Sequence, residues 1–159
     1  MNACRTLAKN ESMVAARKWM TAAHRLGGTN EVTGFVYHAV SSYRDDGARR
    51  YMAELRESLV RCAAVPTEDG RYESALMTEG FAGEESLTYR TLQSGLRPNG
   101  GTFTDLQYAT VVRVGSAVII LWQYGVWHND GQKSACYVEQ AYLDRFTAAA
   151  LSRIPALQK

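Results

Sequence analysis

The densest apolar stretch of the chain runs over residues 108–127, and its centre alternates in a readable way. Over residues 117–124, Val118, Ile120 and Trp122 fall on one side, and Ile119, Leu121 and Gln123 on the other. Successive side chains of a strand point to opposite faces. Both faces are then almost wholly apolar, which predicts a central strand covered on both sides. Gly115-Ser116 before it has the composition of a two-residue type II′ turn. It joins this strand to another over residues 104–114 in a hairpin.

Apolar spacing changes to a helical period after residue 46. Ala48, Tyr51, Met52, Leu55, Leu59 and Cys62 recur every three or four positions, while Arg49, Arg50, Glu54, Arg56, Glu57 and Arg61 occupy the opposite side. This predicts an amphipathic helix. Asp45-Asp46 supplies a cap and negative charge at its start, and Pro66 lies beyond its end. Residues 31–43, rich in Val, Phe and Tyr, read as a strand. Residues 14–24 suit either state: Ala15, Ala16, Met20, Ala22 and Ala23 favour a helix, and Val14, Trp19 and Thr21 a strand. Residues 2–10 suit a short helical turn, and residues 27–30 a turn.

Further on, residues 72–81 and 86–92 read as antiparallel strands joined across residues 82–85, followed by a loop over 96–102. Residues 128–133 read as a polar loop. A second helix is expected over residues 136–154, with Val138, Tyr142, Phe146 and Ala149 or Ala150 as its buried stripe, ended by Pro155. No internal repeat or long linker divides the chain. The expectation is one α+β domain over residues 1–159: a twisted antiparallel sheet flanked by helices.

Composition narrows the function. The chain has 159 residues, 46% hydrophobic and 21% charged, with a net charge of +2, as globular domains do. The arginines are dispersed, so no basic patch for nucleic acid is expected. The longest apolar run, residues 117–122, is too short for a membrane-spanning helix. No apolar stretch follows Met1, so the start does not read as a signal peptide. If Met1 is the native start, a cytoplasmic location is expected.

Candidate chemistry is sparse. Cys4, Cys62 and Cys136 match no zinc spacing. A disulfide between Cys62, at the end of the first helix, and Cys136, at the start of the second, is one arrangement, and Cys4 could take either partner. A helix start at Cys136 is also a setting that activates a thiol. His24, His38 and His128 lack metal-ligand spacing. His38 reads as a structural residue of a strand, and His128-Asn129-Asp130 as a loop with acid–base groups. Glu84-Glu85 reads as a solvated turn. No nucleophile elbow, phosphate loop or dinucleotide fingerprint is present, so no cofactor, metal or catalytic residue is expected. The candidate binding cluster is Tyr89, Arg90, Trp122, Tyr124, Trp127 and His128, gathered at one end of the sheet, with Arg90 or Arg113 as polar anchor.

Four segments carry a resemblance: Tyr43-Arg44-Asp45-Asp46-Gly47-Ala48; Leu55-Arg56-Glu57-Ser58-Leu59-Val60-Arg61-Cys62; Phe81-Ala82-Gly83-Glu84-Glu85-Ser86-Leu87; and Val111-Val112-Arg113-Val114-Gly115-Ser116-Ala117-Val118. Together they resemble actinobacterial sensor-type domains related to the PknH-like extracellular sensor domain, many of them lipoproteins or secreted. The resemblance is strongest over residues 31–154. It implies a twisted antiparallel sheet with flanking helices, a ligand cleft and extracytoplasmic placement. It brings no catalytic residues, and three cysteines here allow one intrachain disulfide where better-studied members hold two. The resulting expectation is a non-enzymatic, sensor-like domain that binds a small molecule or cell-envelope component. Two other readings stand beside it. One is an enzyme or accessory of a specialised metabolite pathway, acting by cyclisation or sequestration, with His128 and Asp130 first to test. The other is a protein-interaction module in which exposed aromatics form a homodimer face.

Overall fold

The computed structural model describes residues 10–25, 32–98, 100–125, 127–130, 133–136 and 140–152. A 3-10 turn, Asn10–Met13, leads into the strands β1 (Val14–Arg25) and β2 (Val32–Tyr43). The helix α1 (Gly47–Arg61) follows, then β3 (Ala64–Thr67), β4 (Gly70–Glu79), β5 (Glu85–Leu96), β6 (Thr102–Val114) and β7 (Ala117–Gly125). The short strands β8 (Trp127–Asp130) and β9 (Lys133–Cys136) and the helix α2 (Gln140–Ser152) complete the order.

The nine strands among the described residues belong to one sheet, whose main path runs β1-β2-β7-β6-β5-β4-β3. Every pairing along that path is antiparallel. β9 departs from the expected pattern, lying parallel to the start of β6 and antiparallel to β8. The topology follows from local geometry. β3 to β7 form a meander of tight connections, and α1 carries the chain from β2, one strand in from the β1 edge, to the opposite edge, so that β7 returns beside β2. β7 is thereby central, flanked by β2 and β6, as its two apolar faces imply.

A helix packs on each face. α1 lays Met52, Leu55 and Leu59 against Tyr43, Leu87, Val111 and Val118 on the first face. On the second face Phe146 of α2 meets Val36, Leu121 and Tyr108, and the Thr147 hydroxyl donates to Thr110 at 3.4 Å. Elsewhere on that face Ala82 covers Val112 and Ile119. The loop that presents Ala82 is shaped by Ser86, whose hydroxyl accepts from the amides of Phe81 and Ala82, each at 2.9 Å. Gly83 in this loop has a φ of 59°, and a Cβ there would sit 2.6 Å from the Arg113 carbonyl oxygen. Only glycine fits such a backbone approach.

Several expectations change. Residues 14–24, open to either state, form strand β1. The expected turn over residues 2–10 lies outside the described residues except for Asn10. Asp46 precedes α1 but makes no side-chain cap; its carboxylate instead accepts from Arg50 at 2.9 Å. Pro66 lies inside the edge strand β3, where a missing N–H costs no pairing. The loop expected over residues 96–102 shrinks to a tight turn closed by Arg97 and Gly101. The polar loop over residues 128–133 and the helix start at Cys136 are replaced by the hairpin β8–β9, with α2 beginning at Gln140. Cys136 therefore gains no helix N-terminus, and the activated-thiol reading loses its premise. In α2, Phe146 packs inward as expected, Thr147 beside it is also buried and Ala149 is exposed; the side chains of Val138, Tyr142 and Ala150 lie outside the described residues. The Gly115-Ser116 turn stands: Gly115 has a φ of 56°, as the first central residue of a II′ turn requires.

Candidate functional site

Strand register sorts the candidate residues by face. One row across the first face reads Tyr89, Ala109, Trp122, Tyr37 and Thr21. The next row reads Thr91, Gln107, Tyr124, Phe35 and Ala23. α1 packs over Leu87, Val111 and Val118, with Tyr89 and Ile120 at the margin of that cluster. Beyond that margin the two rows form an aromatic half of the sheet face. Trp122 keeps 41% of its surface exposed and Trp19 66%, while Phe35, Tyr37 and Tyr124 are half-buried.

The rings are ordered by their neighbours. Trp19 stacks on Tyr37 with centroids 5.9 Å apart, and Phe35 on Tyr124 at 5.4 Å. Both stacks join adjacent strands, as cross-strand aromatic pairs do. Ala109, buried between Tyr89 and Trp122, leaves a low floor in the row. Polar groups adjoin one end: the Gln107 amide donates to Asp105 at 2.7 Å.

Burial sets the protonation of the phenols on and near this face. Burial pushes the Tyr89 phenol far above its ordinary range, with Tyr51 and Tyr72 adding to the effect. Burial also raises Tyr72, partly offset by its hydrogen bond with Thr91. Both phenols stay protonated at neutral pH and act as donors, not bases. His38 lies on the second face with its pKa lowered by burial. Its Nε2 and the Oε1 of Gln123, one residue beyond the pairing partner of Tyr37, are buried and meet no hydrogen-bond partner among the described residues. His38 contributes nothing to the aromatic half.

Of the candidates read from sequence, Tyr89, Trp122 and Tyr124 share the first face. Arg90 is exposed on the opposite face and does not join them. Trp127 and His128 belong to β8, paired with Cys136 and Ala135 of β9; their side chains, and that of Asp130, lie outside the described residues. Arg113, the alternative anchor, is committed elsewhere. Its guanidinium donates to Glu85 at 2.6 Å and to Glu84 at 2.7 Å, so the adjacent glutamates are ion-paired rather than merely solvated. Cys62 is disulfide-bonded, and its partner lies outside the described side chains.

Sequence reasoning missed Trp19, Phe35 and Tyr37 as partners of Trp122 and Tyr124. Alternation places Phe35 and Tyr37 on one face of β2, but only the β2–β7 register brings that face beside Trp122. Among the described residues no group of His, Cys, Asp or Glu is arranged to hold a metal ion, and no helix is long and apolar enough to cross a membrane. Comparison with family models, with curated proteins and with solved structures finds no match for this chain.

Proposed function

We propose that this chain is a non-catalytic, sensor-like binding domain that receives a small molecule or a cell-envelope component on the aromatic half of its first sheet face. One observation carries the reading. Two cross-strand ring stacks and Trp122 form a continuous aromatic surface beyond the margin of α1, with Trp122 and Trp19 open to solvent. Large aromatics with few rotatable bonds give contact area at low entropic cost, and an aromatic surface with few polar groups is the usual make-up of a ligand site. The disulfide at Cys62 supports an oxidising, extracytoplasmic setting, in keeping with the sensor-domain resemblance.

Thermal unfolding against a library of envelope glycans, lipids and small metabolites tests the reading. A ligand at about 100 times its Kd stabilises by about 2.7 kcal/mol, which for a chain of this size raises Tm by roughly 5–10 °C. Trp122→Ala and Tyr124→Ala are expected to abolish that rise and the accompanying change in tryptophan fluorescence. A library without a hit, or a hit indifferent to both substitutions, removes the aromatic half as the site.

A further inference from the structure

The two edges of the sheet are built differently. β3 has four residues and contains Pro66, and a short strand with proline is a protected edge. β1 has 12 residues, Val-Ala-Ala-Arg-Lys-Trp-Met-Thr-Ala-Ala-His-Arg, without proline. Its register with β2 shifts only near its ends, between Val14 and Ala16 and between His24 and Arg25. Its middle is therefore long, regular and unbroken by a bulge. β2 is its only strand partner among the described residues.

β1 also lacks cover. α1 packs chiefly on β4, β2 and β6, and α2 on β6 and β7. Residues 15–23 are exposed on both faces of the strand. Trp19 and Met20 expose 66% and 61% of their surfaces, and Val40 of β2, opposite Lys18, exposes 38%. Ala15, Ala16, Ala22 and Ala23 surround these large groups with low relief. Charge completes the pattern. Arg17 stands on the first face, its Nε donating to Ser41 at 2.8 Å, and Lys18 stands on the second. β1 contains no carboxylate.

We propose that the outer edge of β1 receives an extended segment of a partner protein as an additional strand, a segment that alternates apolar and acidic side chains. Main-chain hydrogen bonds to an open edge give such a complex its affinity, and side chains on alternate positions give its selectivity. In such a strand the two kinds of side chain fall on opposite faces: the partner's apolar residues pack beside Trp19 on the first face, and its carboxylates meet Lys18 on the second. A second copy of β1 is disfavoured, because antiparallel self-pairing sets side by side two strands that both carry Lys18 and supply no carboxylate of their own. This edge shares Trp19 with the aromatic half, but the strand contact runs along the outer side of β1, so a Lys18→Glu loss of peptide binding with the Trp122- and Tyr124-dependent thermal shift retained separates the two readings.

The test uses the full chain and a fluorescein-labelled peptide of about ten residues alternating valine and glutamate, a length matched to the regular part of β1. Its control replaces glutamate with lysine. Binding is followed by anisotropy, and the contact is mapped by amide hydrogen exchange. The glutamate peptide is expected to bind at least about tenfold more tightly than the lysine peptide, to weaken with salt, and to slow exchange at residues 16–23. Lys18→Glu, an exposed position whose fold is checked by circular dichroism, is expected to weaken it about tenfold and to favour the lysine peptide. The proposal is overturned if neither peptide binds at about 1 mM, a level no useful recognition needs, if both bind alike, or if protection falls on other strands. It is overturned equally if the chain sediments as a dimer with the β1 amides already protected.

Discussion

The guanidinium of Arg113 is held between two adjacent glutamates and a helix-borne arginine completes the group. Its side chain is 9% exposed, and it bonds Glu84, Glu85 and the Gly115 carbonyl. Arg56 of α1 donates to Glu85 and Glu79, each at 2.7 Å. Glu85 thus ties α1, β5 and β6 together. Burial pushes its carboxyl up, but the hydrogen bonds from Arg56 and Arg113 outweigh this and hold it below its ordinary value. A carboxyl whose pKa is lower in the folded state adds stability in full above its unfolded pKa of about 4.3, and loses it as pH falls through the folded value. Glu85→Gln is therefore expected to cost about 1–3 kcal/mol at neutral pH. The gap to the parent should narrow steadily below about pH 4.3. Urea unfolding across pH checks this, and an equal gap at low and neutral pH would assign the cost to packing instead. Sequence shows Glu84-Glu85 only as a polar turn, since their partner lies 28 and 29 residues away and is brought close by the β5–β6 register.

Among the elements, α1 is the one whose pattern is most complete in the sequence, because one face is buried and the other wet. Met52, Leu55 and Leu59 are 0%, 1% and 3% exposed, while Val60 is 80% exposed. Leu55→Ala is expected to cost about 2–5 kcal/mol, set by how far the cavity collapses, whereas Val60→Ala should change stability by no more than about 0.5 kcal/mol. Denaturant midpoints measured on both variants test the helix face directly; similar losses at the two positions would contradict it. Strand β1 was ambiguous for the opposite reason. Neither helix covers it, so no face demands apolar residues and no period of two emerges. β8 and β9 were missed because four residues hold too little periodicity to separate a strand from a polar loop. The aromatic half was half-legible: alternation gave Trp122 and Tyr124 a common face, but their partners Tyr37 and Phe35, 85 and 89 residues earlier, arrive through pairing alone.

At the scale of the whole molecule, the chain order and the sheet order diverge because α1 crosses the sheet. β2 lies one strand in from the β1 edge, and α1 delivers the chain to β3 at the far edge. The end of that crossing is anchored at Cys62, which is fully buried and whose carbonyl accepts from the amide of Ser74 on β4 at 3.1 Å. The Ser74 hydroxyl donates to the Leu59 carbonyl in the last turn of the helix. A disulfide at Cys62 therefore fastens the point where helix and sheet edge meet, and it restricts the unfolded chain as well. Its loss is expected to cost about 2–5 kcal/mol. Cys62→Ala and reduction of the parent should give closely similar urea midpoints, and reductant should shift the variant little further. Titration of the denatured parent should find one reactive thiol without reductant and three with it, as three cysteines with one intrachain bond require. A parent indifferent to reductant, or one with three reactive thiols from the outset, would show that the helix crossing is held by packing and the Ser74 hydrogen bonds alone.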